Sequence, residues 1–309
     1  MTTSPTGGNL RRTENLRGVI LMAMAFLSLS VCDMLAKLAT SEFPPLQIAW
    51  TRQLALLTGV LIALSFRGPI LLKTKNPGMQ VARGALAVTS AVCFIFGVKY
   101  VPLADAVAVT FVAPFVVTAV SGLLLGEKVG PRRWTAVIFG FIGVLIILRP
   151  GFGTVHPAAL LLVLAATAFA MRQVLSRRLA GVDKTGTTVA YTALVSVFLL
   201  SLPLAFVWQT PVKGEHILWL AGMTLAAAMG EMFLITALEI GEAAVLAPVQ
   251  YSLIIWSTLW GWLVFGDLPD MWTGVGAAVI VATGLYIFQR ERTVQRKKPR
   301  PEDINTSSM

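Results

Sequence analysis

Charged side chains are scarce in this sequence of 309 residues, because Asp, Glu, Lys and Arg together occupy only 13% of its positions. That is about half the charged share of an ordinary soluble domain, so a water-facing surface cannot be built from this composition. Cysteine and histidine are scarcer still, with two residues of each type. Cys32 and Cys93 lie inside apolar runs and lack the paired spacing of a disulfide framework or a zinc site. His156 and His216 lie at the boundaries of apolar runs, and nothing assembles a metal site or a catalytic triad.

Known enzyme signatures are also missing. The sequence contains no Gly-x4-Gly-Lys-Ser/Thr phosphate loop, no Gly-x-Ser-x-Gly nucleophile elbow and no His-Glu-x-x-His zinc motif. A membrane-embedded enzyme would need a polar catalytic cluster that the sequence does not offer. We therefore expect a protein without enzymatic activity and without a cofactor.

Long apolar segments, by contrast, fill most of the chain, and hydrophobic residues make up 56% of it. Short polar stretches separate segments of about 20 residues, which is the length needed to cross a bilayer as a helix. Helix is the only suitable state, because an isolated strand facing lipid leaves its backbone groups unsatisfied. Ten spans are predicted, at about residues 18–38, 46–66, 80–98, 103–125, 134–149, 157–176, 186–208, 216–237, 243–265 and 271–289.

The two ends of the chain differ from these segments. The first apolar segment follows a basic stretch, as a secretory signal peptide would, but it lacks a small-x-small cleavage site and continues to Asp33 and Lys37. We therefore predict a retained first span. The tails 1–16 and 290–309 are rich in Ser, Thr, Pro and charge and are predicted to be disordered and cytoplasmic, the second of them basic.

Lysine and arginine are distributed unevenly between the two sides that ten alternating spans define. Eighteen fall on the side of the amino terminus and three on the other side. Because cytoplasmic loops carry an excess of basic residues, both termini are predicted to be cytoplasmic and the number of spans even, in a multi-pass protein of the inner membrane. The eighteen are Arg11, Arg12, Arg17, Arg67, Lys73, Lys75, Lys128, Arg132, Arg133, Arg177, Arg178, Lys184, Arg290, Arg292, Arg296, Lys297, Lys298 and Arg300, and the three are Lys99, Arg149 and Lys213.

The net charge of +10 is also typical of nucleic-acid binding proteins. The basic cluster after residue 290, however, directly follows an apolar run, where positive-inside bias and attraction to anionic lipid would place it. No folded recognition module accompanies it. The expected partners are the lipid bilayer and a small-molecule metabolite, not nucleic acid.

Three landmarks of the first half of the chain recur in the second half at nearly one spacing. They are Ile48–Thr51, which returns as Val189–Thr192 at an offset of 141, Leu125–Glu127, which returns as Phe265–Asp267 at an offset of 140, and Trp134, which corresponds to Trp272. This spacing indicates a duplication. Since five spans per half is an odd number, the second copy is predicted to enter the membrane from the opposite side, as in the inverted repeats of many secondary transporters.

A set of motifs in the first half resembles the fourth and fifth spans of an EamA domain. These motifs are Tyr100–Ala106, Ala113–Phe115, Leu124–Lys128, Trp134, Gly140, Gly143 and Leu148–Pro150. By this resemblance the chain is identified as a member of the drug/metabolite transporter superfamily, with one EamA copy in 17–150 and another in 157–289. The second copy departs from the pattern, because Ile240 stands at the Tyr100 position and Asp267 at the Glu127 position.

The resemblance implies an all-α integral membrane fold of ten helices in two inverted five-helix repeats, with a central cavity between the halves. It also implies export or exchange of amino acids or related metabolites, without fixing the substrate. The first two spans, with Asp33–Lys37 and Pro44–Ile48 ahead of Arg52, also resemble the branch linked to S-adenosylmethionine uptake.

Ionisable side chains at membrane depth are the strongest functional candidates. Each costs roughly 2.5–3.5 kcal/mol when it is central and faces lipid, so these residues should face a cavity or one another. A rise of about 1.5 Å per residue places them in two layers on either side of a neutral middle. The outer layer is Asp33, Lys37, Arg52 and Asp105, and the inner layer is Arg83, Arg172 and Glu231.

Two such layers suggest gates, since a carrier closes on either side of a midplane site. We expect Asp33 with Arg52 to help close the outer side, and Glu231 with Arg172 or Arg83 to help close the inner side. Simpler interpretations stay open: Asp33 bonds the lysine one turn further on, and the two inner arginines extend to the lipid headgroups. Glu231 is alternatively a proton site.

Five residues between the layers are predicted to line a cavity: Trp50, Pro114, Tyr191, Gln250 and Tyr251. Amide and aromatic groups suit a zwitterionic or amphipathic small solute. An amide facing lipid would be unsatisfied, which favours the cavity for Gln250, whereas Trp50 and Tyr191 alternatively belong to an interfacial aromatic belt. Small residues at a spacing of four predict a close helix contact, and these are Gly222, Ala226 and Gly230.

Together these features predict a carrier that moves a small organic metabolite by alternating access. Export of an amino acid or related compound is favoured, and uptake of a nucleoside-bearing metabolite such as S-adenosylmethionine is the nearest alternative. A passive channel would instead show a continuous polar stripe along several helices. Protons are a candidate coupling ion, and the sequence leaves the oligomeric state open.

Overall fold

The computed structural model describes residues 5–124, 130–149, 157–179, 182–241 and 243–296. Every regular element in these ranges is a helix, and two of the helices are short 3₁₀ helices at Gly68–Leu72 and Ala247–Tyr251. The α-helices are α1 (Pro5–Ala39), α2 (Pro45–Arg67), α3 (Pro77–Tyr100), α4 (Leu103–Thr110), α5 (Ala113–Leu124), α6 (Pro131–Leu148), α7 (Ala159–Leu179), α8 (Thr185–Val207), α9 (Gly214–Ile240), α10 (Ala243–Leu246), α11 (Ser252–Phe265) and α12 (Met271–Arg296).

Eight helical segments in the described ranges are long and apolar enough to cross a membrane, and Met271–Tyr286 is a shorter apolar helix. The eight are Glu14–Ala39, Pro45–Leu72, Pro77–Tyr100, Leu103–Val120, Pro131–Leu148, Ala159–Leu179, Thr185–Val207 and Gly214–Ile240. Large apolar side chains point outwards around them, including Phe66 at 85% and Phe206 at 90% exposure. Lipid tails, unlike water, can cover such a surface without cost, so the chain is a multi-pass membrane protein.

The terminal helices are longer than the sequence predicted. Helix α1 begins at Pro5 and α12 ends at Arg296, so both enter the tails 1–16 and 290–309 that we expected to be disordered. Once a span has formed, each added residue gains a hydrogen bond without a new nucleation cost, which explains the extension. The landmark Leu125–Glu127 and His156 lie outside the described residues.

Proline and glycine set several helix boundaries. Proline occupies the first position of α2, α3 and α6, where its missing N–H has no intrahelical partner to lose. Gly68 and Gly266 follow the ends of α2 and α11 with φ angles of 65° and 71°. Glycine adopts this left-handed conformation without steric penalty, so the chain can turn directly into the next element.

The span that contains α4 and α5 is broken in its middle. Helix α4 ends at Thr110, and α5 begins at Ala113. The backbone N–H groups of Phe111 and Val112 donate to carbonyl oxygens three residues earlier instead of four. The acceptors are Ala108 and Val109, at 3.2 and 3.1 Å. Pro114 explains the break, because proline has no N–H to donate to the carbonyl four residues earlier.

A second break occurs between α10 and α11. Helix α10 ends at Leu246, the 3₁₀ helix Ala247–Tyr251 follows, and α11 begins at Ser252. Pro248 is the second residue of this 3₁₀ helix. The same Ala-Pro dipeptide therefore interrupts one helical segment in each half of the chain.

The helices pack in a set of pairs. Helix α1 lies along α9 and α3 lies along α7, while α2 packs on α8, α6 on α12 and α4 on α11. Glycines allow the closest approaches. A Cβ placed on Gly276 of α12 would lie 2.6 Å from the carbonyl oxygen of Gly143 in α6, and a Cβ on Gly230 of α9 would lie 2.8 Å from Leu29 of α1. The latter contact, with Gly222 against Leu35, is the close helix contact that the spacing predicted.

Contacts between helix ends define two opposite ends of the molecule. At one end, Gln47 at the start of α2 exchanges two hydrogen bonds with the backbone of Gln209 after α8, at 2.7 and 2.8 Å. At the opposite end, Thr74 before α3 donates to Asp183 before α8 at 2.5 Å. The first end contains the residues predicted as the outer layer, and we refer to it as the predicted outer end and to the other as the predicted inner end.

Candidate functional site

An ion pair between α1 and α2 lies below the predicted outer end. Arg52 donates to Asp33 with an Nη1–Oδ1 distance of 3.1 Å. The Asp33 side chain is 9% exposed and that of Arg52 is 24% exposed. Asp33 thus bonds the arginine of the neighbouring helix rather than Lys37 one turn further on, which was the simpler interpretation.

Lys37 instead connects the two halves of the chain. Its ammonium donates to the carbonyl oxygen of Val101 at 3.0 Å and to the Asp267 carboxylate at 3.3 Å. It also lies 4.8 Å from the centre of the Phe265 ring, a cation–π distance. Asp267 was visible in the sequence only as a repeat landmark, since no local periodicity relates residues so far apart.

A second ion pair joins the halves at the same end. Arg149, at the end of α6, donates to Asp270 before α12. The other Asp270 oxygen accepts from the backbone N–H of Thr273 at 2.8 Å, which caps the start of α12. The Thr273 N–H, together with Arg149, holds the pKa of the Asp270 carboxyl below its ordinary value. The predicted outer end is therefore tied by charges from both halves.

Arg83 is held firmly near the predicted inner end. Its Nε donates to Ser176 of α7 at 2.6 Å, and its Nη1 donates to the carbonyl oxygen of Thr188 at 3.3 Å and to the Thr192 hydroxyl. These bonds link α3 to α7 and α8. Arg83 is therefore engaged with other helices and does not extend to lipid headgroups.

Asp183, in the loop before α8, lies close to this region. It accepts hydrogen bonds from Thr74 at 2.5 Å and from Gln80 at 2.8 Å. These donors stabilise the charged form, so the Thr74 hydroxyl first and the Gln80 amide second lower the pKa of Asp183. The loops of the predicted inner end are thus joined across the two halves as well.

Glu231 of α9 is the acidic member of the predicted inner layer. It interacts electrostatically with Arg52 of α2, Arg83 of α3 and Arg172 of α7. Its side chain is exposed, and in the described part of the chain no hydrogen bond or ion pair within 4.0 Å involves it. Glu231 therefore interacts electrostatically with one arginine of the predicted outer layer and two of the predicted inner layer.

Arg172 faces the same region from α7. Its guanidinium lies over the Phe169 ring at 4.8 Å from the ring centre. The Arg172 side chain makes no hydrogen bond to any described residue, although its backbone carbonyl accepts one from Ser176. The expected pairing of Glu231 with Arg172 or Arg83 is thus absent from this structure as a direct contact.

Two aromatic rings join the breaks of the two halves. Phe111, in the break between α4 and α5, packs on Tyr251 at a centroid distance of 5.1 Å. Tyr251 ends the 3₁₀ helix before α11, with Gln250 beside it, and its hydroxyl lies directly over Gly284 of α12. Pro114, Gln250 and Tyr251 therefore all lie at the breaks.

Trp50 and Tyr191 occupy other places: Trp50 of α2 lies against α8, and Tyr191 of α8 lies against the 3₁₀ helix that follows α2. The Trp50 indole donates to Ser201 at 2.9 Å and packs edge-to-face on Trp208 at 6.1 Å. The Tyr191 hydroxyl donates to the carbonyl oxygen of Leu72 at 3.3 Å. Both side chains hold neighbouring helices together, and the structure does not bring them to Tyr251.

Among the described residues, the arrangement provides charges and aromatic faces. In the described residues, no group of three or more His, Cys, Asp or Glu side chains could hold a metal ion. What the site offers is a carboxylate and arginines at membrane depth and two facing helix breaks. Such groups can bind and release a polar solute.

Comparisons with known proteins agree with this chemistry. The model of the EamA-like transporter family matches residues 16–149 and again 156–289. The chain is 31% identical over 285 residues to a riboflavin transporter of Rhizobium johnstonii, covering 91% of this chain and 93% of the relative. It is 26% identical over 287 residues to an S-adenosylmethionine uptake transporter of Rickettsia prowazekii, with 92% and 96% covered.

An exporter and a solved structure are also similar. The pseudopaline exporter CntI of Pseudomonas aeruginosa is 28% identical over 279 residues, which cover 89% of this chain and 97% of the exporter. One protein crystal structure matches with a TM-score of 0.60 at 19% identity, covering 91% of this chain and 99% of its own, and this likeness shows the fold alone. The chain belongs to the EamA-like transporter family and is a membrane transporter of a small molecule, not an enzyme.

Proposed function

We propose that the chain is a ten-span carrier that moves a small organic metabolite across the inner membrane by alternating access. The eight long apolar segments supply eight spans. Residues 243–265, with the 3₁₀ helix between α10 and α11, form a ninth that is broken as α4–α5 is broken. Helix α12 is the tenth. Both termini then lie on one side, which the basic loops assign to the cytoplasm.

The pairing of helices supports two inverted five-helix repeats. When each span is matched to its counterpart in the other half, α1 corresponds to α7 and α9 corresponds to α3. The α1–α9 pair therefore has the α7–α3 pair as its counterpart, and both pairs are present. In the pairs α2–α8 and α6–α12, the two helices are counterparts of each other, so each pair is its own counterpart. A twofold relation between the repeats produces this pattern, and it turns the second repeat upside down because five is odd.

The observation that carries the proposal is the contact between the two broken spans. Transporters built from inverted repeats use discontinuous helices at corresponding positions, where backbone groups freed from helical bonding face the solute. Here both breaks occur at an Ala-Pro dipeptide, and Phe111 packs on Tyr251 across them. Pro114, Gln250 and Tyr251 are the proposed lining residues at this depth.

The charged pairs provide the proposed gates. Lys37–Asp267 and Arg149–Asp270 tie the halves together at the outer end, and Asp33–Arg52 lies beneath them. Because the outer pairs are formed while the exposed Glu231 has no ion-pair partner, we assign this arrangement to a state closed to the outside. In the opposite state, Glu231 pairs with Arg172 or Arg83 and the outer pairs separate. Protons are the proposed coupling ion, with Glu231 as their site.

An amino acid or related metabolite is the favoured substrate, moved outwards. A second candidate is the uptake of S-adenosylmethionine, which the similarity over 96% of the Rickettsia prowazekii uptake transporter supports. Both solutes carry the amino-acid head group, a carboxylate beside an ammonium. Binding of such a solute needs charged partners at membrane depth, and the site supplies them.

The test is counterflow in proteoliposomes that contain the purified full-length protein. Labelled amino acids, S-adenosylmethionine and riboflavin are offered with and without a proton gradient. Accumulation of one solute against its own unlabelled pool inside the vesicles is the expected result. If empty vesicles and protein-containing vesicles exchange every solute at equal rates, the carrier proposal is wrong.

A further inference from the structure

We infer that Glu42 and Asp183 are equivalent closing residues, one at each end of the carrier, and that each must release the other repeat before its own end can open. This inference rests on the proposed alternating access and deepens it, because it names residues at both ends that the charged layers do not include. Both residues would act by positioning the two repeats, and not by binding the solute.

Glu42 and Asp183 occupy equivalent places in the two halves of the chain. They are separated by 141 residues, which is also the offset between Ile48–Thr51 and Val189–Thr192. Glu42 lies shortly before the start of α2, and Asp183 lies shortly before the start of α8. Because α2 and α8 are the second spans of their halves, one carboxylate precedes the second span in each repeat.

At the predicted inner end, Asp183 is bonded to the start of the third span of the other half. Its carboxylate accepts from the Thr74 hydroxyl, just before α3, at 2.5 Å and from the side-chain amide of Gln80, in the first turn of α3, at 2.8 Å. Gln80 is buried, and its amide also donates to the Thr188 hydroxyl of α8 at 3.2 Å. Since both donors to Asp183 belong to the first half, α3 and α8 cannot separate at this end while these bonds hold.

At the predicted outer end, Glu42 lies against the start of the third span of the second half. Its Oε2 atom is 3.9 Å from Nε2 of His216, which lies in the first turn of α9. That nitrogen is buried and has no hydrogen-bond partner among the described residues. The His216 ring packs edge-to-face on Phe43, the neighbour of Glu42, at a centroid distance of 5.0 Å. The outer contact therefore repeats the inner one with the halves exchanged, but it is looser.

A second pair of contacts, further along the same helices, shows the same exchange of halves. Arg83 of α3 donates to the Thr192 hydroxyl of α8, and Thr224 of α9 donates to the carbonyl oxygen of Thr51 in α2 at 3.2 Å. Arg83 and Thr224 are 141 residues apart, as are Thr51 and Thr192. The packing of α3 on α8 therefore holds the inner end as the packing of α9 on α2 holds the outer end.

The unequal bonding of the two carboxylates predicts unequal effects of opposite direction. A carboxylate that accepts two hydrogen bonds contributes more than one that lies near an imidazole without a hydrogen bond. Removing the Asp183 carboxylate should raise the ratio of inner-open to inner-closed molecules by about threefold to tenfold. Removing the Glu42 carboxylate should raise the ratio of outer-open to outer-closed molecules by about twofold.

The experiment measures distances across both ends by double electron–electron resonance on the full-length protein in lipid nanodiscs. Nitroxide labels are attached to cysteines that replace exposed residues, in a variant whose two native cysteines are changed to alanine. The labelled pairs are Ser41 with Val212 at the outer end and Lys73 with Lys184 at the inner end. Asp183→Ala should increase the long-distance population of the inner pair and the short-distance population of the outer pair. Glu42→Ala should shift both pairs the opposite way.

Matched controls separate closing from folding. Glu215→Ala at the outer end and Arg177→Ala at the inner end remove exposed charges and should leave both distance distributions unchanged. Asp183→Asn keeps an acceptor oxygen and should shift the populations less than Asp183→Ala. A purely structural role of Asp183 would lower the melting temperature and leave both distributions as in the wild-type protein, and that result would overturn the inference.

The inference and the proposed function fail in different ways. If a solute undergoes counterflow and changes the distances in the wild-type protein, but Asp183→Ala and Glu42→Ala shift neither pair, the carrier stands and the closing residues are wrong. A shift of both variants in the same direction also contradicts the inference. If no solute undergoes counterflow and none changes either distance, the carrier proposal falls, and the closing residues fall with it.

Discussion

The crossing of α6 and α12 gives a sharp test of the packing. A Cβ on Gly276 would lie 2.6 Å from the carbonyl oxygen of Gly143 and 2.5 Å from Ile147. Ordinary contacts begin near 3.4 Å, so Gly276→Ala forces the two helix backbones apart by about 0.8 Å. Backbone atoms cannot rotate away as a side chain can, and overpacking of this kind costs about 1–3 kcal/mol. We expect Gly276→Ala to lower the melting temperature clearly.

The matched control lies two residues away on the same helix. Gly274 has nothing within 4 Å of an added Cβ, so Gly274→Ala should be neutral or stabilising by up to about 1 kcal/mol from helix propensity. Both variants are compared by thermal unfolding in one detergent, followed through tryptophan fluorescence. Equal melting temperatures for the two variants would refute the close crossing of α6 and α12.

Three further predictions concern ion pairs and the aromatic contact. Asp33→Asn or Arg52→Gln alone should cost about 3–5 kcal/mol, because each leaves a buried partner uncompensated, and the double variant should recover much of it in unfolding measurements. Asp270→Asn keeps the cap of α12 but loses its charge, so it should be less stable than wild type at pH 7. Because the folded-state pKa of Asp270 is lowered, that difference should vanish as the pH falls from about 4 through this pKa. Gly284→Ala should push the Tyr251 side chain away from its position. We expect the transport rate in proteoliposomes to fall clearly, and the melting temperature in detergent to change little.

Much of the fold follows from the sequence because lipid restricts a spanning segment to helix. Most predicted segments overlap the observed helices closely. The two breaks were not predicted, although a proline lies at each of them. Asp33 and Arg52 face each other because helices α1 and α2 are adjacent in sequence and antiparallel. A short connection brings charges at equal depth together, so a sequence pattern is enough to predict the contact.

Contacts between residues far apart in the sequence could not be predicted from it. Lys37 and Asp267 come from opposite halves, and only the packing of α1 against α11 brings them together. The packing of α2 on α9 likewise lets Arg52 interact electrostatically with Glu231, which depth along separate helices did not indicate. Trp50 and Tyr191 have the right depth for a central cavity, but depth says nothing about which face of a helix a side chain occupies. Their hydrogen bonds show that Trp50 faces α8 and that Tyr191 faces the 3₁₀ helix after α2.

Alternating access is the central claim, and locking the outer end tests it most directly. Cysteines replace Lys37 and Asp267 in a variant whose Cys32 and Cys93 are changed to alanine, and transport is measured before and after treatment with a reducible bifunctional thiol reagent. The account predicts that cross-linking stops counterflow and that reduction restores it, while the reagent leaves the rate of each single-cysteine variant unchanged from its value before treatment. Full counterflow with the cross-link intact would contradict the account, since the outer pairs must separate once in every cycle.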